Sequence, residues 1–107
     1  MALAARVYDV TDRFPARERF GLTALVQRAA VSVPSNIAEG QARYSRPEFR
    51  FLRNARGSLA EVDTQLLLAR HRKYLSRAEA DSLLRDVDEL GRIISGLLDS
   101  LNQPGSQ

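Results

Sequence analysis

A chain of 107 residues has room for one domain with one modest core. Its 44% hydrophobic and 27% charged residues are the balance of a folded globular protein, not of a disordered one. With no cysteine, disulfides, thiolate chemistry and cysteine-ligated metals are excluded. No apolar run approaches the ~18 residues of a membrane span and the N-terminus lacks the apolar core of a signal peptide, so the cytoplasm is the expected compartment. The net charge of +3 is unevenly spread: residues 1–60 hold ten arginines against five acids, residues 61–107 six basic residues against eight acids. Fifteen of the sixteen basic residues are arginine, a bias that a GC-rich genome produces as readily as selection for guanidinium chemistry.

In chain order, Leu3, Val7, Val10 and Phe14 recur at helical spacing and predict a short first helix that Pro15 ends. A second helix is expected from about Ala16 to Gln41, with Leu22, Leu25, Val26, Ala29, Val33 and Ile37 along one face. The apolar phase carries through Pro34, which predicts one kinked helix. Pro34 costs about 3 kcal/mol unless neighbours compensate, and Ser32 and Ser35 are placed to satisfy freed backbone groups. Ser45-Arg46-Pro47-Glu48 is a capping box, flanked by Tyr44 and Phe49 as a hydrophobic staple, and it opens a third helix. That helix presents Leu52, Ala55, Leu59, Val62, Leu66 and Ala69 to the core. Leu66-Leu67-Leu68 spans about 200° of helix, so one core cannot bury all three. A second capping box, Ser76-Arg77-Ala78-Glu79, opens the fourth helix. Its stripe of Leu83, Val87, Leu90, Ile94, Leu97 and Leu101 has the regularity of a coiled coil. The fold class is all-α: an antiparallel up-and-down four-helix bundle over residues 1–102 with a kinked second helix, followed by a polar tail at 103–107.

Catalytic chemistry is hard to place on such a chain. The single histidine, His71, supplies neither the Glu-x-x-His pairs of a di-iron bundle nor a nucleophile–base relay, and phosphate-binding glycine loops are absent. No catalytic residue, metal or cofactor is therefore expected. Two other groups stand out. Arg28, Ser32, Asn36, Glu39 and Arg43 share one flank of the second helix, and a structural network is the favoured reading, with Arg56, Ser58 and Glu61 of the third helix as partners. Arg43, Tyr44, Arg46, Arg50, Arg53 and Arg56 form the second group, in which Arg46, Arg50 and Arg53 lie opposite the core stripe. Guanidinium forks match phosphate oxygens and Tyr44 offers a stacking ring, which points to RNA or DNA. The competing reading pairs these arginines with Asp81, Asp86, Asp88 and Glu89 of the fourth helix.

The run Arg28-Ala29-Ala30-Val31-Ser32-Val33-Pro34-Ser35-Asn36-Ile37-Ala38-Glu39-Gly40 resembles the signature of the bacterial four helix bundle proteins, also called 23S rRNA-intervening-sequence proteins. Pro15, Glu18 and Gly21-Leu22 upstream support it, as do Phe51-Leu52, Ala55-Arg56-Gly57-Ser58-Leu59, Glu61 and Gln65-Leu66 downstream. The resemblance implies an up-and-down bundle that assembles into a homopentamer and has no catalytic residues. It also implies kinship with the accessory proteins of diversity-generating retroelements, which bind nucleic acid and a protein partner. Two functions follow as expectations: a non-enzymatic oligomeric module that contacts RNA or DNA through its arginines, or a protein–protein scaffold in which those arginines serve subunit or partner interfaces.

Overall fold

The computed structural model describes residues 2–41 and 47–101. Helix α1 spans Ala2–Thr11, a 3₁₀ turn spans Ala16–Glu18, and α2, α3 and α4 span Leu22–Gln41, Pro47–His71 and Arg77–Leu101. The capping box and staple expected around Ser45 lie outside the described residues. Consecutive helices pack on one another and α4 closes on α1, which leaves α1/α3 and α2/α4 as the diagonals of an up-and-down bundle. The particle measures 49 × 23 × 18 Å.

The core is the one expected from the third helix outward. Leu52, Ala55, Leu59, Val62, Leu66 and Ala69 are all buried, and they meet Val26, Ala29, Ala30 and Val33 of α2 and Leu83, Val87 and Ile94 of α4. Of the three consecutive leucines only Leu66 is inside; Leu67 and Leu68 are 40% and 48% exposed. On α4 the buried residue of the last turns is Leu98, at 4% exposed, and the expected Leu97 is 44% exposed. A strict heptad seam would hold Leu97 inward, but a straight helix turns every 3.6 residues, so the core face drifts. Ala80 and Leu98, eighteen residues apart, are five full turns from each other and are both buried. Leu90 and Leu101 are half-buried at the margin of the same stripe.

Two helix starts show how local chemistry sets the boundaries. Helix α4 begins as expected: the Glu79 amide donates to Ser76 Oγ at 3.1 Å and the Ser76 amide donates to Glu79 Oε1 at 3.1 Å. Helix α2 begins six residues later than expected. Pro15 leads into the 3₁₀ turn, and the Gly21 amide then donates back to the Glu18 carbonyl. The Glu18 carboxylate reaches forward to accept the Leu22 amide at 3.2 Å, so it caps the helix from four residues upstream. A Cβ on Gly21 would lie 2.9 Å from that carboxylate oxygen, so a side chain there displaces the cap.

From Leu22 the helix runs unbroken through Pro34. Helix α1 is 10 residues long against 25 for α3 and α4, about 15 Å against 37 Å. It is fastened by Arg6 to Asp86 and to Ser82 Oγ, by Arg13 to Glu79, and by a 2.8 Å bond from Gln27 Nε2 to Thr11 Oγ1. It therefore covers only the N-terminal half of α4. The uncovered half carries the exposed Ile93 and Leu97.

Candidate functional site

The flank of α2 that carries Arg28, Ser32, Asn36 and Glu39 closes on α3 at one level. Ser32 Oγ and Ser58 Oγ are 2.8 Å apart, and Asn36 Nδ2 donates to both Ser32 Oγ at 2.9 Å and the Ser32 carbonyl at 2.8 Å. These three half-buried side chains form a polar clasp between the helices, with the asparagine donor set beside the turn that Pro34 weakens. The Ser32 hydroxyl, expected to serve the backbone of its own helix, is spent on Ser58. Arg28, Glu39, Arg56 and Glu61 are exposed and lie outside this clasp. About two turns along α3 from Ser58 is Gln65, whose Oε1 is buried without a hydrogen-bond partner, a group that residue spacing alone did not single out.

The arginines of α3 are at the surface. Arg50, Arg53 and Arg56 are all exposed, and the Arg50 guanidinium carbon is 4.9 Å from the Phe51 ring centroid. Arg43, Tyr44 and Arg46 lie outside the described residues. The four acids of α4 expected to neutralise this face, Asp81, Asp86, Asp88 and Glu89, lie towards the other end of the bundle, while the exposed Asp99 is on the level of Arg50. Leu59 Cδ2 lies 3.5 Å from where a Cβ on Gly91 would be, which sets residue 59 level with residue 91 in the antiparallel pair. Residues 81–89 are then level with the second half of α3, roughly 15–30 Å along the axis from Arg50. Asp86 pairs with Arg6, Glu79 with Arg13, and Asp81 with Arg70 at 3.5 Å. The fourth helix thus spends these acids on α1 and on the end of α3.

A second basic region appears where the α1–α2 and α3–α4 links meet. Tyr74 Oη donates to Glu18 Oε2 at 2.7 Å and receives Arg17 Nη2 at 3.4 Å. The Arg17 and Arg72 guanidinium carbons are 5.8 and 5.9 Å from the Tyr74 ring centroid, and buried Phe14 packs against that ring at 5.4 Å. The Tyr74 hydroxyl, and after it the Leu22 amide, hold the Glu18 carboxyl below its ordinary range. Residues 17–20 and 70–74 are some fifty positions apart in sequence, so no local pattern announces this cluster; only the antiparallel topology assembles it.

Among the described residues no group of three or more His, Asp or Glu side chains is arranged to hold a metal ion, and His71 is exposed at the end of α3. A shallow hollow of about 350 Å³ lies between α3 and α4, lined by Asp63, Leu67, Asp81, Leu84, Arg85 and Asp88. No described helix is long and apolar enough to cross a membrane.

The family model of the 23S rRNA-intervening sequence protein matches residues 1–96. Among solved structures, a protein of unknown function from the S23 ribosomal protein family of Bacteroides thetaiotaomicron is similar, with a TM-score of 0.84 and 20% identity. The match covers 91% of this chain and 92% of that one, and at this identity it speaks for the fold alone. No curated protein matches the chain.

Proposed function

The chain belongs to the 23S rRNA-intervening sequence protein family, and from that premise we propose that it is a non-enzymatic, self-assembling bundle protein that binds nucleic acid through the arginine face of α3. The observation that carries this reading is the exposure of Arg50, Arg53 and Arg56 on a stretch of α3 far from the paired acids of α4. A row of exposed guanidinium groups on a rigid helix meets phosphates without ordering cost in the scaffold. In a ring of like subunits the row repeats, and weak contacts add through effective concentration. A mobility-shift titration against structured RNA at low and physiological salt tests it. Phosphate contact predicts binding that weakens steeply with salt, and the variant Arg50→Ala/Arg53→Ala/Arg56→Ala lowers the salt slope by roughly 2–3. Absence of binding at low salt ends the proposal.

A scaffold function is the second reading, and the exposed leucines of α3 and α4 favour it. Leu67, Leu68, Ile93 and Leu97 are each 40–53% exposed, and a second copy of the chain or another polypeptide would cover them. Under that reading light scattering shows loss of oligomer mass in the arginine variant, while the wild type has no affinity for RNA.

A further inference from the structure

The end of the bundle formed by the α1–α2 and α3–α4 links has three properties that together describe a binding surface. The first is charge. Residues 12–21 and 70–81 contain seven basic side chains and four acids, an excess equal to the net charge of +3 for the whole chain. Those four acids are Asp12, Glu18, Glu79 and Asp81. Glu79 and Asp81 are paired with Arg13 and Arg70, and Glu18 is committed to Tyr74 and the Leu22 amide. Arg17, Arg19, Arg72 and Lys73 are exposed on the same end.

The second property is an open aromatic ring. Phe20 is 90% exposed, the largest exposure of any large hydrophobic residue described, with the Arg19 guanidinium carbon 5.7 Å from its centroid. A ring this bare is the cost of a platform that nothing within the subunit covers.

The third property is backbone strain at a cation. Helix α3 ends in a Schellman motif: the Tyr74 amide donates to the Ala69 carbonyl and the Lys73 amide to the Arg70 carbonyl, both at 2.9 Å. The residue that must turn left-handed there is ordinarily glycine, yet Lys73 holds it at φ 64°. It is the only non-glycine residue with positive φ among those described, and the only lysine in the chain. A strained position kept by a charged side chain marks a use for that charge.

From these properties we infer that this end of the bundle binds single-stranded nucleic acid, separately from the arginine face of α3. A base stacks on Phe20, and phosphates meet Arg17, Arg19, Arg72 and Lys73. The ring and the cations are both used by such a strand, since every base has a face to stack and every nucleotide a charge to neutralise. A lipid surface would need several apolar side chains to insert, and among the described residues of the two links Phe20 is the one exposed large hydrophobic, with Leu25 and Leu68 a turn away on the helix sides. The links are held rigid by the Glu18–Tyr74–Arg17 contacts and by the packing of Phe14, so the platform is preformed. Arg50 and Arg72 lie roughly 33 Å apart along α3, so the two basic regions sit at opposite ends of the particle.

Fluorescence anisotropy of a labelled oligouridine strand tests the site, with wild type, Phe20→Ala, Lys73→Gly and the triple arginine variant of α3 compared at low and physiological salt. Phe20→Ala weakens binding about 5- to 150-fold through lost stacking. Lys73→Gly lowers the salt slope by about 0.7, one phosphate contact on a single strand. It also melts roughly 2–8 °C higher because the strain is removed, so its weaker binding cannot be misfolding. Wild-type affinity in both Phe20→Ala and Lys73→Gly overturns the site and leaves the α3 reading standing. A wild type that binds structured RNA but not the strand does the same, and one that binds neither overturns both readings. Co-sedimentation with phosphatidylserine vesicles in the absence of strand binding assigns the surface to a membrane and refutes the inference.

Discussion

Replacing Leu66 with alanine probes the packing at its most committed point. Leu66 has no exposed surface, whereas Leu67 and Leu68 next to it are 40% and 48% exposed. The lost side chain leaves a cavity lined by neighbours on α2 and α4 that cannot collapse fully, so Leu66→Ala costs about 3–5 kcal/mol. For a domain of this size that lowers the melting temperature by roughly 12–40 °C and removes a large part of the whole stability. Leu68→Ala removes a half-exposed side chain, leaves no cavity and gains helix propensity, so it costs about 0–1 kcal/mol within the subunit. Urea unfolding followed by far-ultraviolet circular dichroism at several protein concentrations measures both. Equal costs for Leu66→Ala and Leu68→Ala at low concentration would refute the one-in, two-out reading of the three leucines. A Leu68→Ala cost that appears only at high concentration locates that leucine in a subunit contact.

Acid should loosen the bundle through Glu79, whose carboxyl is lowered to about 2, first by the hydrogen bond from Arg13 and then by the Ser76 amide. A carboxyl depressed in the folded state stabilises it above the ordinary carboxylate range, and that contribution is lost as the pH falls towards the folded value. Glu79→Gln therefore melts below wild type at neutral pH, by the ~1 kcal/mol of a screened surface pair and cap, and the gap closes between about pH 4.5 and 2; a gap independent of pH counts against the pair. Ser58→Ala removes one partner from the Ser32–Asn36 clasp and costs about 1 kcal/mol, since Asn36 still satisfies Ser32. A cost above about 3 kcal/mol would show that the clasp is more cooperative than its distances suggest.

Much of the fold is legible because it is written in local patterns. The α3 stripe needs only the 3.6-residue period, and the Ser76–Glu79 box is complete within four residues. The start of α2 was not legible, because its cap is a glutamate reaching forward from a 3₁₀ turn, a motif without the usual Ser or Asp marker. The Leu97 for Leu98 exchange on α4 comes from choosing a supercoiled period where the helix keeps a straight one. Site chemistry was visible in part. The Ser32–Ser58 clasp follows from a polar flank on each of two neighbouring helices. The cluster around Tyr74 joins segments that only the bundle topology brings together, and a lysine in left-handed backbone has no sequence marker at all.

The shortness of α1 has a mechanical consequence. Its anchors to α4 are two surface ion pairs and a serine contact, and the ten-residue link from Asp12 to Gly21 makes a single 3₁₀ turn on the way to α2. The apolar side of the segment does the rest of the holding: Leu3, Val7 and Phe14 are buried in the shared core, and lifting α1 would expose them at a cost of about 1.5–3 kcal/mol for each large side chain. The bundle is thus four-sided over about 15 Å of its length and three-sided over the rest, which leaves the C-terminal half of α4 with a flank that α1 does not cover.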